Sequence, residues 1–105
     1  MPAFLIADIT ASDMEKYQAS SYLDVIPDIA ARYRGVYRAR GGATEVLEGD
    51  WRPKRLVIIE FPSMGDLLAF YNSSEYRPFK ELRQRHARSR IIAIESNSPL
   101  SPAGS

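Results

Sequence analysis

The residues able to do chemistry here form a short set, because the chain has one histidine, His86, and no cysteine. Thiolate nucleophiles, disulfides and cysteine metal sites drop out together, so proton transfer and charge stabilisation rest on His86, carboxylates, tyrosines and arginines. Asp8, Arg40 and His86 are the first candidates. An arginine fork pairs with a carboxylate or enolate, and an imidazole works as general acid or base near neutral pH. The structural alternative makes Asp8 a helix-cap acceptor, Arg40 its salt-bridge partner and His86 a half-buried helix residue beside Phe79 and Leu82. Glu60 is the second candidate catalytic group, since it shares one face with Leu56 and Ile58 on a strand expected to be buried. A carboxylate there is a general base or hydrogen-bond anchor, or it pairs with an arginine or reaches water at the strand end. Tyr71, Asn72 and Tyr76 are candidate ligand contacts, with simple packing and a helix break at Asn72 as the alternative. Trp51 lies in a turn with no core of its own, where it caps a pocket or anchors an interface between copies.

Other chemistries lack their residues. There is no metal-ligand spacing such as HxxxH, and Gly41 Gly42 without a following Lys and Ser or Thr is no phosphate loop. No glycine-flanked serine elbow is present. Arg77, Lys80, Arg83, Arg85, Arg88 and Arg90 face only Glu81 in opposition, a run that reads as a solvated helix face or a lure for an anionic ligand. With 14 Lys and Arg against 13 Asp and Glu, the net charge of +1 gives no reason to expect nucleic acid or an anionic membrane. The 105 residues, 45% hydrophobic and 26% charged, match one ordinary globular domain, with no apolar run long enough for a bilayer. The N-terminus has no basic lead, so no signal peptide is expected and the localisation reads as cytoplasmic.

Stepping along the chain gives the elements that must position these groups. Ala3 to Ile9 reads as a buried strand ending at a helix N-cap around Ser12 and Asp13. From Asp13 to about Tyr33, Met14, Tyr22, Val25, Ile29 and Tyr33 keep one apolar face at helical period; Pro27 predicts a kink or restart after Asp24, and Gly35 a C-terminal cap. Val36 to Arg40 is a short strand, with Gly41 and Gly42 suited to a bulge or positive-φ turn, and the chain is expected to resume extended through Thr44 to Leu47. Gly49 to Pro53 is turn chemistry, and Lys54 to Phe61 is the clearest strand. Ser63 and Asp66 have capping-box spacing for a helix carrying Leu67, Leu68, Phe70 and Tyr71. A second helical piece from about Glu75 carries Phe79, Leu82 and His86, and Arg90 to Ser96 is the last strand. Residues 1–97 thus form one domain, and 98–105 read as a disordered tail.

The order βαββαβ is the split-βαβ, ferredoxin-like α+β arrangement, with both helices on one face of a four-stranded antiparallel sheet. Its strand directions bring Asp8, Arg40 and Arg90, preceded by His86, to one edge, together with Gly41, Gly42 and Arg55; there Asp8, Arg40 and His86 are expected to line the mouth of a pocket between sheet and helices. Phe4 Leu5 Ile6 Ala7, Leu56 Val57 Ile58 Ile59 and Ile91 Ile92 Ala93 Ile94 are apolar on both sides, which a sheet covered on one face does not require. A second copy packed sheet to sheet is the natural cover, burying on the order of 800 Å² per partner; loops folded over the sheet of a monomer are the alternative.

Arg40 Gly41 Gly42, Glu45 to Ser63 and Phe70 Tyr71 Asn72 Ser73 Ser74 Glu75 Tyr76 resemble the domain of unknown function 1330 family, over roughly residues 3 to 96. Ser74 departs from it, standing where a proline is expected. The resemblance implies the dimeric α+β barrel architecture and a homodimer, and no established reaction. Its wider superfamily includes cofactor-independent monooxygenases, lactone isomerases, haem-degrading enzymes and ligand sensors, activities that do not transfer by fold. The function reads as binding of a small apolar organic acid in a dimer-enclosed pocket, by a cofactor-independent monooxygenase- or isomerase-like enzyme. The alternative is a non-catalytic ligand-binding or structural homodimer. No cofactor, metal, nucleic acid or membrane partner is expected.

Overall fold

In the computed structural model, which describes residues 1–11 and 22–97, the apolar run at the N-terminus becomes a central strand with neighbours on both sides. The elements in chain order are β1 (Ala3–Ala11), α1 (Tyr22–Arg32), β2 (Val36–Arg40), β3 (Leu56–Phe61), α2 (Met64–Tyr71), α3 (Arg77–His86) and β4 (Ala87–Glu95). The strands form one antiparallel sheet in the order β2-β3-β1-β4. This is the α+β architecture expected from the sequence. The expected helix N-cap at Ser12 and Asp13, Met14 of the helical face and the 98–105 tail lie outside the described residues.

Strand alternation sorts the sheet into two faces. Ala3, Leu5, Ala7 and Ile9 of β1 and Val57, Ile59 and Phe61 of β3 are buried, packing with Ile26, Ile29 and Ala30 of α1 and Leu67 and Phe70 of α2. Full burial of side chains such as Phe61, Phe70 and Leu67 contributes about 1.5–3 kcal/mol each. The other face carries Phe4, Ile6, Leu56 and Ile58, half-buried, and Val36, Ile92 and Ile94, exposed at 48%, 62% and 52%. Cross-strand partners Phe4 and Ile94, and Ile6 and Ile92, make that apolar surface continuous.

Several boundaries differ from the sequence-based expectation, each for a local reason. β1 runs on through Thr10 to Ala11, because β4 begins at Ala87 and pairs with it to the end. α1 passes through Pro27 without a restart; the lost donor leaves one carbonyl unserved, while buried Ile26, Ile29 and Ala30 hold both sides of the proline to the sheet. Residues 42–47 form no strand and are exposed. The positive-φ turn at Gly41 (φ 69) is present, but the irregularity in β2 falls earlier, between Tyr37 and Ala39. Ser63 caps α2, its Oγ accepting from the Asp66 N–H at 3.1 Å and donating to the Asp66 carboxylate at 3.1 Å.

The end of α1 gives the sharpest correction. The Arg34 N–H bonds the Ala31 carbonyl and the Gly35 N–H the Ala30 carbonyl, the paired pattern of a Schellman cap. The left-handed residue of that cap is Arg34, φ 67, and not Gly35. Gly35 is required for space: a Cβ on it would lie 2.7 Å from the Phe61 ring and 3.0 Å from the Ala30 carbonyl. Arg32 and the Tyr33 hydroxyl then bind the Glu75 carboxylate, tying this corner to the α2–α3 turn and holding the Glu75 carboxyl below its usual range, chiefly through the Arg32 hydrogen bond. Gly35→Ala is expected to lower stability by about 1–3 kcal/mol through overpacking. Urea unfolding checks it, the midpoint dropping at constant m-value; an unchanged midpoint would mean that Phe61 and Gly35 are not in close contact.

Candidate functional site

The sheet face under the helices ends in a cavity at the edge where the strand termini gather. Its floor is aliphatic, from Leu5, Ala7, Ile9, Val57, Ile59 and Ile91, and its walls are Ile26, Tyr37, Phe70 and Tyr76. Arg40 and Arg55 complete the lining. The enclosed space is about 30 Å³, enough for one or two waters. Among the described lining residues there is no carboxylate.

The aromatic wall is built by the break after α2. Ser73 is buried; its Oγ donates to the Phe70 carbonyl at 2.8 Å and accepts the Tyr76 N–H at 3.1 Å. This small turn stacks Tyr76 on Phe70 with ring centroids 4.7 Å apart, and Phe70 in turn leans on Phe61 at 5.4 Å. Tyr76 is therefore a wall residue, 4% exposed. Tyr71 and Asn72 face elsewhere: Lys80 lies over the Tyr71 ring at 4.4 Å, and exposed Asn72 is the C-cap of α2, its N–H bonding the Leu68 carbonyl.

The cationic end comes from the β2–β3 connection. Arg40, the last residue of β2, sits 5.3 Å over the Tyr37 ring, an arrangement that favours a flat guanidinium. Arg55 precedes β3 and packs its guanidinium over Gly41, where a Cβ would stand 2.5 Å from Nη1. Its Nε is buried with no hydrogen-bond partner among the described residues.

The other candidates separate from this cavity. Asp8, expected beside Arg40, points from the opposite sheet face, because its neighbours Ala7 and Ile9 take the helix side. There the Trp51 indole N–H donates to its Oδ2 at 2.8 Å, while Oδ1 is buried without a partner among the described residues. Trp51 is 54% exposed. Glu60 also lies on that face, its side chain 12% exposed and paired with Arg38 at 3.0 Å. The structure thus separates Asp8, Glu60 and Trp51 from Arg40 and Tyr76. His86 ends α3, and its side chain lies outside the described residues. Sequence reasoning missed Tyr37, which the pairing with buried Ile59 places on the cavity side, and Arg83, 2% exposed within a run read as solvated. No period-two pattern would have found the first, because the irregularity in β2 puts Tyr37 and Ala39 on opposite faces; helical spacing of Phe79, Leu82 and Arg83 on one face would have flagged the second.

The sequence model of a family described as a domain of unknown function (DUF1330) matches residues 2–97. No curated protein matches the chain. A protein of unknown function from Rhodopseudomonas palustris, RPA0582, is similar in structure with a TM-score of 0.68 at 22% identity, over 96% of this chain and 84% of that one. SnoaB, a cofactor-independent oxygenase from Streptomyces nogalater, aligns with a TM-score of 0.61 at 12% identity, over 96% and 98% of the two chains. A putative antibiotic biosynthesis monooxygenase from Nitrosomonas europaea aligns at 0.60 with 10% identity, over 95% and 94%. These likenesses are of fold.

The Arg38–Glu60 pair gives a test of what Glu60 is for. Arg38→Met, which strands a mostly buried carboxylate, is expected to cost about 1–3 kcal/mol. Replacing both residues with methionine should recover most of that loss in thermal unfolding. A double variant as unstable as the single one would remove the structural reading of Glu60.

Proposed function

The chain belongs to the DUF1330 family, and we propose that it binds a small, largely apolar organic acid in the cavity between sheet and helices, acting as a homodimer closed over the open sheet face. The observation that carries the binding half is a pocket of aliphatic and aromatic side chains with two arginines, Arg40 and Arg55, in its lining. A carboxylate or enolate suits the arginines, and an apolar body suits the rest. Because the space is about 30 Å³, an organic acid enters by displacing side chains at the mouth, where Arg40 is exposed.

The homodimer rests on the open face, where Val36, Ile92 and Ile94 are exposed beside half-buried Phe4, Ile6, Leu56 and Ile58. A contiguous apolar surface on this scale favours a covering partner, and a second copy presents the same surface by two-fold symmetry. The reaction class we propose, oxygenation without a bound cofactor, is that of the structural neighbour SnoaB, and it is in keeping with the second neighbour, a putative antibiotic biosynthesis monooxygenase. Fold similarity supports that at the level of analogy. The second reading, a binding protein without turnover, is favoured by the separation of Asp8 and Glu60 from the cavity, which leaves its described lining without a carboxylate base.

One set of measurements distinguishes these. Sedimentation at micromolar concentration should show two copies, and Ile92→Glu one. The single tryptophan, Trp51, should shift its emission to the red in that variant. Calorimetric titration with a panel of aromatic and alicyclic carboxylic acids should find binders, and an oxygen electrode then separates an oxygenase, which consumes oxygen with a bound acid, from a binding protein, which does not. A folded wild-type monomer would sink the dimer; a panel without a single binder would sink the cavity reading.

A further inference from the structure

Arg55 carries a feature that packing alone does not account for. Its Nε is buried and has no hydrogen-bond partner among the described residues, and a buried donor without a partner is destabilising. The same side chain lines the cavity. Its guanidinium is laid against the one position in the turn that has no side chain, Gly41, whose φ of 69 and whose missing Cβ, 2.5 Å from Nη1 if it were present, both exclude substitution without displacement. Backbone geometry holds the base of the residue too: the Arg55 carbonyl accepts from the Ile9 N–H at 2.9 Å, and the Gly41 N–H bonds the next carbonyl, Leu56, at 2.9 Å. The residue is thus held at its backbone and packed against Gly41 in the lining of an apolar cavity, with a donor unused among the described residues.

We propose that Arg55 is the specificity-determining residue of the cavity, its Nε and one Nη presenting a paired donor edge to the carboxylate of a monoanionic acid. The inference deepens the organic-acid reading and rests on it. Arg40, on the exposed rim over Tyr37, attracts the anion and closes behind it, whereas Arg55 sets its orientation. Two cations in one apolar pocket raise the affinity for a single negative charge. The planar fork selects a carboxylate over a neutral amide of the same shape, because the amide cannot accept both hydrogen bonds and leaves the buried donor unpaired. The group pointing away from the carboxylate meets Leu5, Val57, Ile59 and Ile91, so the acid is apolar beyond its head.

The test uses butyrate and benzoate as probes, each beside its amide, butyramide and benzamide, titrated into the wild-type protein, Arg55→Lys, Arg40→Lys and Asp8→Asn. The acids should bind wild type at least about tenfold more tightly than the amides. Arg55→Lys keeps the charge but loses the fork, and should weaken the acids about tenfold or more while leaving the amides unchanged. Arg40→Lys should weaken them less and in a salt-dependent way, and Asp8→Asn, on the other face, not at all. Arg55→Lys binding the acids as wild type does would overturn the proposal, as would an equal loss in Asp8→Asn, which would assign the effect to the sheet edge as a whole. Should Arg55→Lys not fold, the wild-type ¹H–¹⁵N spectrum decides. If the Arg55 Nε–Hε resonance moves on adding benzoate and not benzamide, the proposal stands; if it stays still while benzoate binds, the proposal fails. If neither acid binds wild type, the organic-acid reading itself is gone, a result distinct from acids that bind without discrimination by Arg55.

Discussion

A central strand with apolar side chains on both sides has to be shielded on both sides, and that requirement on β1 organises the molecule. Leu5, Ala7 and Ile9 are buried toward the helices, whereas Phe4 and Ile6 on the reverse are only half-covered. Sheet twist and the right-handed crossovers put every described helix on one layer, so no described helix remains for the other. The helix layer consequently makes the interior, including the cavity, and leaves the other layer's apolar side chains open. The cavity and the open apolar surface thus occupy opposite sides of one sheet about a residue thick.

On the enclosed side, position is transmitted through a chain of rings and turns. Gly35 lets the end of α1 approach Phe61; Phe61 supports Phe70, and Phe70 supports Tyr76. Ser73 closes the turn that makes the last stack possible. The cavity wall is therefore set by packing of the core rather than by a loop, which is the arrangement that holds a binding geometry steady. The cationic end is different in kind, since Arg40 and Arg55 come from the two ends of the long, exposed connection between β2 and β3.

The fold was legible in the sequence because its signals are periodic and local. Leu56 to Phe61 announces a strand by composition, and Ser63 with Asp66 announces a cap by spacing. The site was legible only in outline. Strand direction correctly brings Asp8, Arg40 and Arg55 to one edge, but which face each one takes depends on register, and register in β2 is irregular. Asp8 is held by Trp51, a contact between residues far apart in the chain that no short pattern encodes. Glu60 was readable as a carboxylate in need of a partner; that the partner is Arg38 follows from the β2–β3 pairing and not from composition. Arg83 shows the converse, since a charged run conceals the one member that turns inward.

The irregularity in β2 reaches further than its size. Tyr37 opposes Ile59, yet Ala39 opposes Ile58 and Arg40 opposes Val57, so one extra residue has been spent between them and the odd–even order of the strand is inverted from there on. In a regular strand Arg40 would share the side of Arg38 and Glu60, and its charge would fall on the open apolar surface. The inversion delivers the cation to the helix side instead, at the exposed rim of the cavity. A single-residue insertion or deletion at Arg38 is thus a parity switch, able to exchange an arginine on the cavity side for one on the open face without altering any other element of the sheet.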